Sequence, residues 1–123
     1  MLADGATTVW EVFPTSGDRP GGFPTRSHTH AWSSAPVHFL PQVVLGICQT
    51  APGGAAYTIS PRVGELGWAR GAVCTPRGLL EVSWRRAGQK VEVSVRAPQG
   101  MVVSFEPNAA LDGLEMHTQV IQA

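Results

Sequence analysis

The chain has 123 residues, of which 43% are hydrophobic and 15% charged, so it can bury a core and does not read as a disordered tail. Nine basic and nine acidic residues give a formal net charge of zero, which argues against nucleic acid or an anionic membrane surface as a partner. Because no apolar run approaches the roughly 20 residues that span a bilayer, and the amino-terminal residues do not resemble a signal peptide, we expect a soluble protein of unassigned compartment.

The first part of the chain, residues 1–52, begins with a loop over residues 13–29 and continues as a mainly apolar stretch over residues 31–48. Helical spacing within this stretch is shown by Phe39, Leu40, Val43, Val44 and Ile47. Two prolines, Pro36 and Pro41, interrupt a regular helix, because a proline in a helix interior costs about 3 kcal/mol. We therefore predict a short or kinked helix that begins near Pro36.

Large aromatic side chains in this first part lack an obvious core. A single helix and a long loop cannot bury Trp10, Phe13, Phe23 and Trp32 effectively against one another. A short helix gains most of its stability from packing on neighbouring elements. We therefore expect these residues to require a further upstream polypeptide, without which their exposed surface would favour self-association.

The second part, residues 53–123, alternates short β-type runs with turn signals, which predicts a small antiparallel sheet or a β-sandwich. Strands are expected at residues 57–60, 68–75, 79–85, 91–95 and 101–105, with a closing strand at 114–121. Turn signals lie at residues 76–78, 87–88 and 98–100. Alternation within the third run places Leu80, Val82 and Trp84 on one face, so we expect Trp84 to lie in the core.

Neither cysteine pairing nor metal binding is favoured by the sequence. Cys48 and Cys74 lie in apolar surroundings and are expected to be buried free thiols. The His28-x-His30 spacing could place two imidazoles on one side of a strand, with His38 nearby. Since no local carboxylate or thiolate completes the set, we expect His28 to be a loop residue and His38 a helix-surface residue. No metal ion and no cofactor are predicted.

Two separate motifs resemble one known family. Residues 5–11 read GATTVWE, and residues 27–32, after a polar loop, read SHTHAW. Together they resemble the end of the catalytic domain in bacterial α-L-rhamnosidases. Residues 45–47 resemble the end of the last helix of that domain, and residues 57–61 and 78–84 resemble the first strands of the β-sandwich that follows it.

This resemblance implies a mainly β fold: an antiparallel β-sandwich at residues 53–123, preceded by a loop and the last helix of an incomplete (α/α)6 barrel at residues 1–52. It implies a parent enzyme that hydrolyses terminal α-L-rhamnosides with inversion. Glu11 matches the general base, and His30 matches a histidine that contacts the sugar. A carboxylate flanked by apolar residues is expected to be partly desolvated, which suits a proton acceptor.

The chain also departs from the family pattern. Thr29 stands where the family has an asparagine, and the general acid of the family lies upstream of the matching segment. Met1 begins just before the first motif, which indicates an internal start, a truncated gene or a split subunit. We therefore expect the chain alone to be inactive, with a rhamnose-containing glycan and an upstream barrel polypeptide as partners.

A second hypothesis does not involve catalysis. Residues 53–123 could form a stand-alone structural or carbohydrate-binding module. Sugar binding by such a module needs exposed aromatic side chains on a flat face of the sandwich, and Trp68 and Trp84 are the candidates in this part of the chain.

Overall fold

The computed structural model describes residues 5–11 and 27–123. The chain divides into two compact units, Met1–His38 and Phe39–Ala123. The predicted loop over residues 13–29 therefore lies mostly outside the described residues, as do Phe13 and Phe23. The predicted domain division at residue 52 stays a prediction.

The predicted short helix is confirmed as α1, Pro36–Val43, which follows a 3-10 helix at Ala31–Ser34. Pro36 is its first residue, where the missing N–H costs nothing, and Pro41 lies inside it. The expectation that residues 45–47 end this helix is wrong. Gly46 adopts a positive φ of 71° after α1 has ended, and the next residue already begins a β-strand.

Seven strands form the second unit. They are β1 (Ile47–Gln49), β2 (Ala56–Ile59), β3 (Trp68–Thr75), β4 (Gly78–Ala87), β5 (Lys90–Ala97), β6 (Val102–Phe105) and β7 (Glu115–Gln122). One sheet has three strands in the order β1-β2-β6, and the other has four in the order β3-β4-β5-β7. Each strand expected over residues 53–123 is present, with bounds within two residues of those predicted.

Both sheets are mixed rather than purely antiparallel. The pairs β1–β2, β3–β4 and β4–β5 are antiparallel, whereas β2–β6 and β5–β7 are parallel. A parallel pair needs a crossover connection instead of a tight turn. The chain provides it by leaving the four-stranded sheet after β5, adding β6 to the other sheet, and returning as β7.

A single core joins the two sheets, which confirms the mainly β sandwich. On β4 every second residue is buried, namely Leu80, Val82 and Trp84, as the alternation predicts. On β5 the valines at 91, 93 and 95 are buried in the same way. They form one cluster with Ile47 of β1 and Ile59 of β2, so the inward faces of both sheets pack against each other.

Cys48 and Cys74 are free thiols, as predicted, but both are exposed, so the prediction that they are buried is wrong. Period-two alternation explains this. Cys48 follows the buried Ile47 on β1, and Cys74 occupies one of the outward positions of β3. Within the described residues, no helix is long and apolar enough to cross a membrane.

Candidate functional site

The predicted site residues Glu11 and His30 lie on two short segments that run side by side in the first unit. The backbone N–H of Glu11 donates to the carbonyl of Ser27 at 3.0 Å, and the N–H of His30 donates to the carbonyl of Val9 at 2.9 Å. The two bonds pair the segments in opposite directions. Residues that are 19 positions apart in sequence therefore sit on adjoining stretches of backbone.

Trp10 anchors this pair of segments. Its side chain is only 5% exposed, and its ring centroid lies 5.2 Å from that of His28 with the planes tilted by 31°. The hydroxyl of Thr8 donates a hydrogen bond to the carbonyl of His28. Trp10 and Thr8 thus contact His28 at its ring and at its backbone carbonyl. His28 is exposed in an irregular segment, which confirms its interpretation as a loop residue.

His30 is half-buried and contacts a second tryptophan. Its ring centroid lies 5.8 Å from that of Trp32, and the planes are nearly perpendicular at 79°. Trp32 is 84% exposed, so it is no core residue of this unit. An edge-on contact leaves much of the indole surface open to solvent or ligand. From the sequence, Trp32 is among the aromatic residues expected to need an upstream polypeptide to cover them, and no association of Trp32 with His30 is predicted.

The turn that carries His28 is held by Ser27 and Thr29. The Ser27 hydroxyl donates to the carbonyl of Thr29 at 2.7 Å, and the Thr29 N–H points back to the same hydroxyl at 3.3 Å. Thr29 is exposed. A local side-chain-to-backbone bond of this kind stabilises a turn without a regular element, and here it places the residue that directly precedes His30.

Glu11 is half-buried. Among the described residues, no group of three His, Cys, Asp or Glu side chains lies close enough to hold a metal ion. His38 is exposed on α1, as predicted. The roles of Glu11 as a base and of His30 as a sugar contact stay predictions.

Comparison with known proteins identifies the second unit. Residues 46–105, which run from the glycine before β1 to the end of β6, match the family described as "Bacterial alpha-L-rhamnosidase C-terminal domain". These residues are a bacterial α-L-rhamnosidase C-terminal domain. The resemblance inferred from the strand segments at residues 57–61 and 78–84 is therefore confirmed.

Similarity to α-L-rhamnosidases extends beyond that domain. The chain is 32% identical over 113 residues to an α-L-rhamnosidase of Alteromonas sp. (strain LOR), which covers 88% of this chain and 12% of that protein. It also resembles the crystal structure of a GH78 family rhamnosidase of Bacillus sp. GL1, with 33% identity and a TM-score of 0.81 over 99% of this chain. The match covers 13% of the Bacillus protein. The chain thus spans about an eighth of each relative.

Proposed function

We propose that the chain is the carboxyl-terminal part of an α-L-rhamnosidase that hydrolyses terminal α-L-rhamnosides with inversion, with Glu11 as general base and His30 as a contact to the sugar. The observation that carries the proposal is the backbone pairing of the Glu11 and His30 segments. The likeness to the Bacillus rhamnosidase supports it, because that likeness covers 99% of the chain and so includes both segments.

Hydrolysis with inversion requires a second carboxyl group in addition to that of Glu11. Two carboxyl groups about 6.5 to 9.5 Å apart are needed, one to protonate the departing oxygen and one to activate water on the opposite face of the sugar. Glu11 would accept the proton of that water. The acid would come from the upstream barrel polypeptide, so the chain by itself is proposed to be inactive.

The exposed apolar surface of α1 supports an upstream barrel as partner. Val37 is 78% exposed, while Phe39 and Leu40 are each 56% exposed. None of the residues of α1 is buried. A helix that leaves such side chains in water gains stability when another helix covers them. Helix-on-helix packing is how an (α/α)6 barrel would bury this surface.

A rhamnose-containing glycan is the proposed substrate. The edge-on pair of His30 and Trp32 offers what a sugar ring requires. An imidazole can donate to or accept from a hydroxyl group, and an exposed indole can cover the less polar face of the ring. In this arrangement His30 would orient the sugar, and Trp32 would exclude water from one of its faces.

A chimera tests the proposal. In the Bacillus sp. GL1 rhamnosidase, the matching part would be replaced by this chain, and release of p-nitrophenol from p-nitrophenyl α-L-rhamnopyranoside would be measured. We expect an active chimera, and a loss of about a hundredfold or more in kcat for Glu11→Gln, because general-base catalysis contributes about 10²–10⁴-fold. Glu65→Gln, at an exposed position of the second unit, is the matched control and should retain activity.

Product stereochemistry supplies a second readout. Proton NMR at early times should show that the first-formed rhamnose has the opposite anomeric configuration to the substrate. A folded chimera in which Glu11→Gln keeps its activity, or one that releases the retained anomer, would contradict the assignment of Glu11.

A further inference from the structure

The outward face of the four-stranded sheet carries a row of large and charged side chains. Strand register places Trp68 of β3 opposite Arg85 of β4, Arg85 opposite Glu92 of β5, and Glu92 opposite His117 of β7. All four side chains are exposed, as expected for residues that alternate with the buried core positions. One row across the whole sheet therefore combines an indole, a guanidinium, a carboxylate and an imidazole.

This row lines one end of a groove. A cavity of about 530 Å³ lies over it, and a second of about 520 Å³ lies beside the first, with Arg70, Ser83 and Ser94 lining both. The groove continues to the row that contains Glu81 and Arg96, four residues further along each strand. At about 3.3 Å per residue, this is a length of about 13 Å. Each cavity has the size of an ordinary ligand site.

Trp68 is the exposed aromatic side chain at one end of this groove. It is 62% exposed, although tryptophan is highly buried on average. It stands on the edge strand β3, and its partner in the row is Arg85 rather than another apolar residue. An exposed indole at the end of a groove provides a flat surface on which a ring can stack.

Charged groups next to Trp68 are available to a ligand. Within the part of the chain that the structure describes, the side chains of Arg70, Arg85 and Glu92 make no hydrogen bond or ion pair. The opposite end of the groove differs, because Arg96 Nε lies 3.8 Å from Glu81 Oε2. At the end beside the exposed indole, hydrogen-bond donors and an acceptor are therefore free to bind a ligand. At the opposite end, the two charged side chains already pair with each other.

We propose that this groove binds a neutral oligosaccharide chain, with one sugar ring stacked on Trp68 and hydroxyl groups bonded to Arg85 and Glu92. A sugar ring has an apolar C–H face and a rim of hydroxyls that both donate and accept. The guanidinium needs an acceptor and the carboxylate needs a donor, so a hydroxyl-bearing ligand satisfies both at once. An anionic sugar would satisfy Arg85 but would be repelled by Glu92.

The composition of the groove distinguishes a sugar from a protein as the occupant. The centre of a protein–protein interface is depleted of charged residues, because burying them unpaired is costly. Here the middle of the groove, which both cavities share, is lined by Arg70, Ser83 and Ser94, and the end beside Trp68 carries Arg85 and Glu92. Sugar binding at this face lies beyond the proposed catalytic role, because it uses no residue of the Glu11 segment.

The test is a titration of the full 123-residue chain, followed through the indole N–H signals of its tryptophans in nitrogen-15 NMR spectra. The probes are cellohexaose, xylohexaose and an α-L-rhamno-oligosaccharide as neutral chains, and hexagalacturonate as an acidic one. The choice of the rhamno-oligosaccharide rests on the proposed function, and the other probes do not. Since binding is read without turnover, failure of the hydrolytic proposal would leave this result unaffected.

We expect at least one neutral oligosaccharide to shift the Trp68 signal, and Trp68→Ala to weaken its binding by about tenfold or more. Val102→Ala, on β6 of the other sheet, truncates an equally exposed apolar side chain outside the groove and should leave the affinity unchanged within about twofold. Arg85→Gln and Glu92→Gln, at exposed positions that tolerate substitution, should each weaken binding severalfold. Circular dichroism of every variant confirms that its fold is retained.

Three results would overturn the proposal. The first is the absence of a shift at Trp68 with every neutral probe at millimolar concentration. The second is neutral-glycan binding that persists unchanged in Trp68→Ala and in both charge variants. The third is a shift at Trp68 with hexagalacturonate alone, which would identify the groove as an acidic-sugar site.

Discussion

The indole Nε1 of Trp84 donates a hydrogen bond to the backbone carbonyl of Val44 at 2.8 Å. Trp84 is 2% exposed at the centre of the sandwich, and Val44 follows directly after helix α1. The same stretch is held a second time, because the N–H of Arg62 donates to the carbonyl of Val43 at 3.2 Å. The carboxyl end of α1, which belongs to the second unit, is therefore bonded to the rest of that unit through a core side chain and through backbone.

Trp84→Phe should lower the free energy of unfolding by about 1 to 3 kcal/mol. The substitution removes the donor to Val44 and leaves part of the indole volume empty. Urea denaturation followed by circular dichroism measures the change. Trp32→Phe, at a position 84% exposed, should change stability by less than about 0.5 kcal/mol. Equal losses of unfolding free energy in both variants would show that the hydrogen bond to Val44 does not contribute measurably to stability.

Gly46→Ala should lower the free energy of unfolding far more than an ordinary glycine substitution does. A Cβ at this position would lie 2.1 Å from the carbonyl carbon of Ser60, which is backbone and cannot move aside cheaply. We expect a loss above about 3 kcal/mol, since strain and overpacking combine. Gly88→Ala is the matched control, because φ is also positive at 61° but nothing lies within 4 Å. It should lose about 1 to 2 kcal/mol of stability, the cost of the left-handed conformation alone.

Asn108 connects the segment after β6 to the segment after β2. Its Nδ2 donates to Ser60 Oγ at 2.8 Å and to the Pro61 carbonyl at 3.1 Å, while its Oδ1 accepts from the N–H of Ala110 at 2.9 Å. Asn108→Ala should cost about 1 to 3 kcal/mol in urea unfolding, because it removes the cap and both donated bonds. Asn108→Asp keeps the cap acceptor but loses the donors. A stability equal to the wild-type value in Asn108→Asp would show that only the cap matters.

Both thiols should react in the folded chain. Cys48 and Cys74 are free and exposed, so Ellman's reagent should titrate two equivalents without denaturant. The single variants Cys48→Ser and Cys74→Ser should each leave one equivalent. A second equivalent that appears only in urea would mean that one thiol is shielded in the folded chain.

The apolar surface of α1 should promote self-association of the chain when no barrel polypeptide is present. Leu40→Lys replaces a side chain that is 56% exposed, and burial of a leucine contributes about 1.5 to 3 kcal/mol. We therefore expect the association constant, measured by sedimentation velocity, to fall about tenfold or more. Gln42→Lys adds the same charge on the same helix at an exposed polar position and should have little effect. A wild-type chain that stays monomeric at high concentration would contradict the expectation.

Local patterns in the sequence predicted local structure well. Alternation in β4 was sufficient to place Leu80, Val82 and Trp84 in the core, because burial on one face of a sheet imposes a period of two. The start of α1 at Pro36 followed from the geometry of proline at the first helical position. These features depend on residues that are close in sequence.

Features that depend on distant residues were not predictable in the same way. The parallel pairing of Tyr57 with Val103 joins strands far apart in sequence, and neither strand carries a signal for its partner or its direction. The outward position of Cys74 was missed because β3 has small residues on both faces, so its alternation is weak. Glu11 and His30 were singled out only by resemblance to a family, since an isolated Glu and an isolated His carry no signature of catalysis.

The two crossings between sheets also determine when the domain can become stable during synthesis. Strands β3, β4 and β5 follow one another and can pair as soon as they emerge from the ribosome. The three-stranded sheet still lacks β6 at that stage, and the four-stranded sheet lacks β7. The three-stranded sheet can be completed only when β6 has been made, and the four-stranded sheet only when β7 has been made, because non-local pairing must wait for its partner strands. We infer that the nascent domain keeps apolar surface uncovered until β7 has been made, which makes it a substrate for chaperones that bind such surface.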